Sequence, residues 1–231
     1  MKLLRRIFGW DRYGPPFGSE VATYRRLRDR GLDPDAIVDV GAYEGEWTRA
    51  ALTVWPDLPT LMVEPQVAKA PYLAAVSRDL PNVQFRQALL ASEAGHDVSF
   101  YEMETGSSLY PENSNAPRRR TSFKTTTLDL VAAQFAFKDI FLKIDVQGAE
   151  LDVLKGAREI LARASAVQLE VPFMRYNNGA PSFFDVVQFM DERGFAPIEI
   201  SNQTRLRRVL VQADLIFVNK DDEKFSKKMI F

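Results

Sequence analysis

A chain of 231 residues can bury one full-sized core, and its 46% hydrophobic and 26% charged composition is that of an ordinary globular protein. The net charge of −1 gives no global attraction to nucleic acid, so no nucleic-acid partner is expected. The lack of cysteine excludes disulfides, thiolate metal sites and a cysteine nucleophile.

The first ten residues are basic, but Arg5 and Arg6 break their apolar run, which is too short for a signal-peptide core or a membrane span. The expectation is a cytoplasmic protein with an arm over residues 1–18 able to touch a membrane surface. Residues 19–231 are read as a single domain. Its first helix starts at Ser19, carries Val21, Tyr24 and Leu27 on one face, and ends at Gly31. An apolar strand covers 37–40. A helix with Trp47, Ala50, Ala51 and Val54 at i, i+3, i+4, i+7 spacing follows it. Strand two spans 60–64, a helix bears Leu73, Val76 and Leu80, and strand three spans 83–89. An extra strand is placed at 97–101. Residues 102–121, polar with Gly106, Pro111, Pro117 and three arginines, read as a long loop insertion. Strand four covers 140–145, and one helix after it carries Leu151, Leu154, Ala157 and Leu161. Strand five covers 166–171. Pro181 and Ser182 open a helix with Phe183, Val186, Val187 and Met190 on one face. Strands at 195–200 and 214–218 close the chain with no helix between them, which makes the last strand antiparallel. The fold class is therefore α/β, a doubly wound, mainly parallel, Rossmann-like seven-stranded sheet.

The end of strand one carries Asp39-Val40-Gly41-Ala42-Tyr43-Glu44-Gly45, at the carboxyl edge where open parallel sheets bind ligands. Its G-x-x-x-G spacing is not the G-x-G-x-x-G that cradles a pyrophosphate. A strand-end carboxylate, Asp39, suits a cationic, phosphate-free ligand. Gly41 allows close backbone approach, and Gly45 allows a helix to pack on the strand. Glu64, about 20 residues on, is placed to accept ribose hydroxyls, with adenine against Gln87 and Ala88. These features point to an adenosine ligand and leave a nicotinamide-dependent oxidoreductase as the rival.

The segment Phe141-Leu142-Lys143-Ile144-Asp145-Val146-Gln147-Gly148-Ala149-Glu150 resembles the FkbM family of methyltransferases. The strand-one turn through Thr48, Glu64-Pro65, Gly106-Ser107-Ser108-Leu109, Thr127-Leu128-Asp129 and Leu169-Glu170-Val171 are similar to that family in order, with Tyr43 where it usually has Asn. The resemblance implies a class I methyltransferase that uses S-adenosylmethionine. Its acceptor would be a hydroxyl of a small molecule, a sugar or glycan, or a secondary metabolite. A non-catalytic, cofactor-binding member of a glycan assembly complex is a further alternative.

The expected cofactor residues are Asp39, Gly41, Ala42, Gly45, Thr48, Glu64, Gln87, Ala88 and Asp145. Asp145 and Glu170, at the ends of adjacent strands, are the candidate bases for removing a hydroxyl proton. Lys143 shares a strand face with Asp145, and Gln168 shares one with Glu170. A divalent cation between the two carboxylates is possible but not favoured, because two carboxylates are an incomplete shell. Ser107, Ser108 and Tyr176 are assigned to the acceptor, with Arg118, Arg119 and Arg120 available for an acidic group on it. Lys143 and Glu150 are expected to pair around Gly148. His96, the only histidine, reads as a surface turn residue. Oligomeric state is not encoded in any motif found.

Overall fold

The computed structural model describes residues 20–103, 106–111, 118–174 and 177–222. The N-terminal arm with its expected membrane contact, Ser19 and Tyr176 lie outside them.

Strands β1 (Ala36–Val40), β2 (Thr60–Val63) and β7 (Ile140–Ile144) are buried at every residue. Continuous apolar runs of this kind belong to parallel strands covered on both faces. With β3 (Val83–Arg86), β8 (Ala164–Pro172), β9 (Phe195–Leu206) and β10 (Val209–Asn219) they form a seven-stranded sheet in the order β3-β2-β1-β7-β8-β10-β9. All neighbours pair parallel except β10, which runs antiparallel to both β8 and β9. The doubly wound sheet and its antiparallel last strand are as expected.

Helices cover both faces. One carries α1 (Glu20–Asp29) and α2 (Glu46–Leu52), where Tyr24, Leu27, Trp55 and Phe141 pack as an aromatic core. Helix α3 (Ala70–Asp79) closes over Met62 and Val83 beside them. The opposite face carries α4 (Leu128–Ala132), α5 (Glu150–Lys155), α6 (Arg158–Ala162) and α7 (Phe183–Asp191) over the largest core. Ser182 and Asp185 close α7 with a reciprocal capping box.

Four expectations are corrected. Strand three breaks after Arg86, and Leu89–Leu90 (β4) leaves to pair with β6 (Arg119–Thr126) in a second, three-stranded sheet that includes β5 (Asp97–Glu102). The region 102–121 is therefore not one loop: both ends are strand, and Ser108 returns to bridge Tyr101. The single helix expected after strand four is two. A Cβ at Gly156 would lie 2.3 Å from the Ala91 carbonyl oxygen, so the chain passes here only as glycine and bends between α5 and α6. Residues 201–212, read as a connector, are the outer parts of β9 and β10. Backbone pairing holds them extended where the side-chain pattern is polar.

Candidate active site

The chain turns sharply after β1. Gly41 and Ala42 donate their amides to the Val63 carbonyl, and Gly41 sits at φ +74°. A Cβ on Gly41 would lie 1.8 Å from the Asp145 carbonyl oxygen. Its glycine is thus demanded by the neighbouring β7 turn, more tightly than by any ligand. Gly45, at φ +82°, packs on Val76 and Met62, as expected of a helix-packing glycine. Tyr43 takes φ +49°, a left-handed position that Asn adopts more readily than an aromatic residue.

Beneath this turn lies a buried charge cluster. Asp39 is fully buried and accepts a hydrogen bond from Thr48 Oγ1 at 2.7 Å. Lys143 Nζ lies 3.2 Å from Asp39 Oδ1 and 3.9 Å from Asp145 Oδ2, and donates to the Gly41 carbonyl at 3.0 Å. Burial works against the ammonium, yet Asp39 and then Asp145 outweigh it and raise the Lys143 pKa. The expected Lys143–Glu150 pair does not form. Glu150 instead braces the β7 turn by accepting from the amides of Val146 and Gly148 at 3.2 and 3.0 Å.

A cavity opens above the turn. Gly41, Tyr43, Glu64, Gln66, Ala88, Asp145 and Gln147 line it, under a roof of Phe100 from the second sheet and Ser107 and Leu109 from the segment that follows β5. Glu64 is held by the backbone amides of Tyr43 and Gln66, each at 3.0 Å. The Gln66 side chain adds a further hydrogen bond to the same carboxylate. Burial raises the Glu64 pKa, and those two amides oppose the shift. Of the expected cofactor residues, Gly41, Glu64, Ala88 and Asp145 line the cavity. Asp39, Ala42, Gly45 and Thr48 lie beneath it as supports, and Gln87 points outward to the Pro65 carbonyl.

A second cavity adjoins the first through Gln147 and is lined also by Gly148, Glu150, Glu170, Met174, Asn177 and Gln212. A third, lined by Glu20, Trp47, Lys143, Asp145, Gln168, Glu170 and Asp214, opens on the α1 side. Asp145 and Glu170 thus stand at the junction of these spaces. One side-chain amide joins them: Gln147 Nε2 donates to Asp145 Oδ1 and to Glu170 Oε1, each at 2.9 Å. Gln212 Nε2 holds the other Glu170 oxygen at 2.5 Å. Burial, then Asp145, Glu150 and Asp214, push the Glu170 pKa well up. Among the described residues no cluster of three or more His, Cys, Asp or Glu side chains is arranged to hold a metal ion.

Sequence reasoning missed Gln147. It adopts φ +55°, and its carbonyl accepts from Ser108 Oγ at 2.7 Å and from Asn177 Nδ2 at 2.5 Å. Ser108 was expected to touch the acceptor, but it is fully buried and occupied with Gln147 and the Tyr110 amide. Ser107 accepts from the Met103 amide at the cavity roof. Arg119 pairs with Glu102 and Arg120 with Ser99, so neither faces either cavity. His96 is exposed beside Glu93, the surface position expected of it.

The methyltransferase FkbM domain model matches residues 39–197, more than half of the chain. The chain belongs to the FkbM methyltransferase family. It is a methyltransferase whose cofactor is S-adenosylmethionine, and the nicotinamide reading is set aside. The first cavity fits that molecule: its described lining has two carboxylates, Glu64 and Asp145, and no lysine or arginine to meet a phosphate. No curated protein matches the chain. Among solved structures, TehB from Haemophilus influenzae has 7% identity over 94% of this chain and 66% of that one, with a TM-score of 0.50. Precorrin-6y C5,15-methyltransferase from Geobacter metallireducens has 11% identity over 86% of each chain and a TM-score of 0.47. Magnesium protoporphyrin IX methyltransferase from Synechocystis, solved with bound S-adenosylmethionine, has 10% identity over 94% and 90% and a TM-score of 0.46. Among the described residues no helix is long and apolar enough to cross a membrane.

Proposed function

We propose that this protein transfers the methyl group of S-adenosylmethionine to a hydroxyl oxygen of a sugar, glycan or secondary-metabolite acceptor, in the cytoplasm. The carrying observation is the pair Asp145 and Glu170, joined by the Gln147 amide where the cofactor cavity meets the second cavity. The cofactor supplies a methyl group already activated by a sulfonium charge. The chain's own task is to place the acceptor oxygen in line and to take its proton.

Glu64 holds the ribose hydroxyls and Ala88 leaves room for adenine. The second cavity takes the acceptor, since amide and carboxyl groups of Gln147, Asn177, Gln212 and Glu170 suit a ligand rich in hydroxyls. Asp145 Oδ2, close to the Lys143 ammonium, receives the acceptor's proton as the new C–O bond forms and the C–S bond breaks. Glu170, whose pKa burial and the neighbouring carboxylates raise, faces the acceptor as the second carboxyl group of the pair.

Purified protein incubated with S-adenosylmethionine and a panel of hydroxylated acceptors should release S-adenosylhomocysteine and an O-methyl product. Asp145→Asn should lose turnover while retaining S-adenosylhomocysteine binding. Methylation at nitrogen or carbon only, or an unchanged rate in Asp145→Asn, would overturn the reading.

A further inference from the structure

The β9–β10 hairpin runs past the strand that supports it. Pairing of β8 with β10 stops at Pro172 and Gln212, and residues 204–209 beyond that point are all exposed. Leu206 and Val209 are direct cross-strand partners, so their side chains share one face, and they are 61% and 57% exposed. The two-residue turn between them is Arg207–Arg208, at φ +46° and +72°. Turns with two left-handed residues are most easily built from Asn-Gly or Gly-Gly, and a side chain with a Cβ is strained there. The strain brings no packing in return, so what the arginines contribute is charge. Arg205 adds a third guanidinium, which donates to the Arg208 carbonyl and to Gln203. Among the described residues none of the three is ion-paired with a carboxylate. At the hairpin's root Phe173 and Met174, 44% and 46% exposed, bond through their amides to the Val211 carbonyl.

We propose that this hairpin tip is a docking surface for an anionic lipid bilayer. Leu206 and Val209 enter the boundary between headgroups and acyl chains, and the arginines meet lipid phosphates and carboxylates. A nucleic acid satisfies the arginines but gives the two exposed apolar side chains nothing to bury against. With a net charge of −1, the whole chain supplies no general attraction, so the effect belongs to the tip. Pro172, Met174 and Gln212 also line the second cavity, so docking brings that cavity towards the headgroup layer, within reach of a membrane-borne acceptor.

The test is flotation of the full chain with vesicles of phosphatidylcholine alone or mixed with phosphatidylserine. Binding should require phosphatidylserine and weaken as salt rises. It should fall at least about tenfold both in the Arg207→Glu/Arg208→Glu double variant and in Leu206→Ser/Val209→Ser, with melting temperature and S-adenosylhomocysteine affinity unchanged. Three results overturn the proposal: no binding of the unaltered chain to the mixed vesicles, binding that survives both double variants and is lost on deleting residues 1–18, or a preference for a single-stranded RNA oligonucleotide over those vesicles. None of them bears on methyl transfer, which is scored by cofactor binding and turnover.

Discussion

The two turns at the carboxyl edge of the sheet do similar work and are built differently. The β1 turn carries Gly41, Tyr43 and Gly45 at positive φ; the β7 turn carries Gln147 and Gly148. The first is secured from the two strands beside it, by Glu64 accepting from the Tyr43 amide across 21 residues and by Lys143 donating to the Gly41 carbonyl. The second is secured from two loop segments, through Ser108 and Asn177, 39 and 30 residues from Gln147, while Gln212 holds the neighbouring Glu170 across 42 residues. A turn braced by adjoining strands is fixed by the sheet, whereas one held also by loop segments can change with them while the sheet stays as it is.

The sharpest way to break this comparison is at the seam, where the two turns touch. Gly41→Ala should cost more than about 4 kcal/mol in urea unfolding, because the new Cβ meets the Asp145 carbonyl at 1.8 Å and φ is +74°. A loss under about 1 kcal/mol would mean that the turns move independently.

Next is the brace beneath the β7 turn. Burial pushes Glu150 up to about 7 from an ordinary 4.5. A carboxyl whose folded pKa is raised contributes stability that is complete below pH 4.5 and lost as pH rises through 7. The melting temperature should therefore fall between pH 5 and 8, with roughly 3 kcal/mol at stake from this group. Glu150→Gln keeps an oxygen for the Val146 and Gly148 amides and should flatten that fall; an unchanged slope would remove Glu150 as its source.

Gln147→Leu should separate the two ends directly. Losing the amide that joins Asp145 to Glu170 should lower turnover about 100-fold while leaving S-adenosylhomocysteine affinity within about twofold, read by steady-state kinetics and calorimetry. An equal loss in both would make the two cavities one functional unit. The smallest effect is expected at Glu64→Gln. Its side-chain amide would face a backbone donor, so cofactor affinity should drop about tenfold with little change in turnover at saturation.

Much of the first cavity was legible in residue order, since Gly41, Glu64 and Ala88 line it at the carboxyl ends of the first strands. Asp39 and Thr48, expected to touch the cofactor, sit a layer lower, where they bond to each other and to Lys143 beneath the turn. Gln147 was invisible as a functional residue. Nothing in its neighbours foretells that a left-handed backbone aims its amide between two carboxylates.

The alternation of apolar runs with amphipathic helices was enough to specify a mainly parallel sheet with an antiparallel last strand, because those depend on local periodicity and on handedness rules that hold for any such chain, while the strand-end motifs carried the family resemblance. The split of strand three, the bend at Gly156, the length of the last hairpin and the joining of Asp145 to Glu170 depend on contacts between segments far apart in the chain. Only in the folded molecule do those backbones meet, and their steric and hydrogen-bond demands then override what each stretch signals by itself.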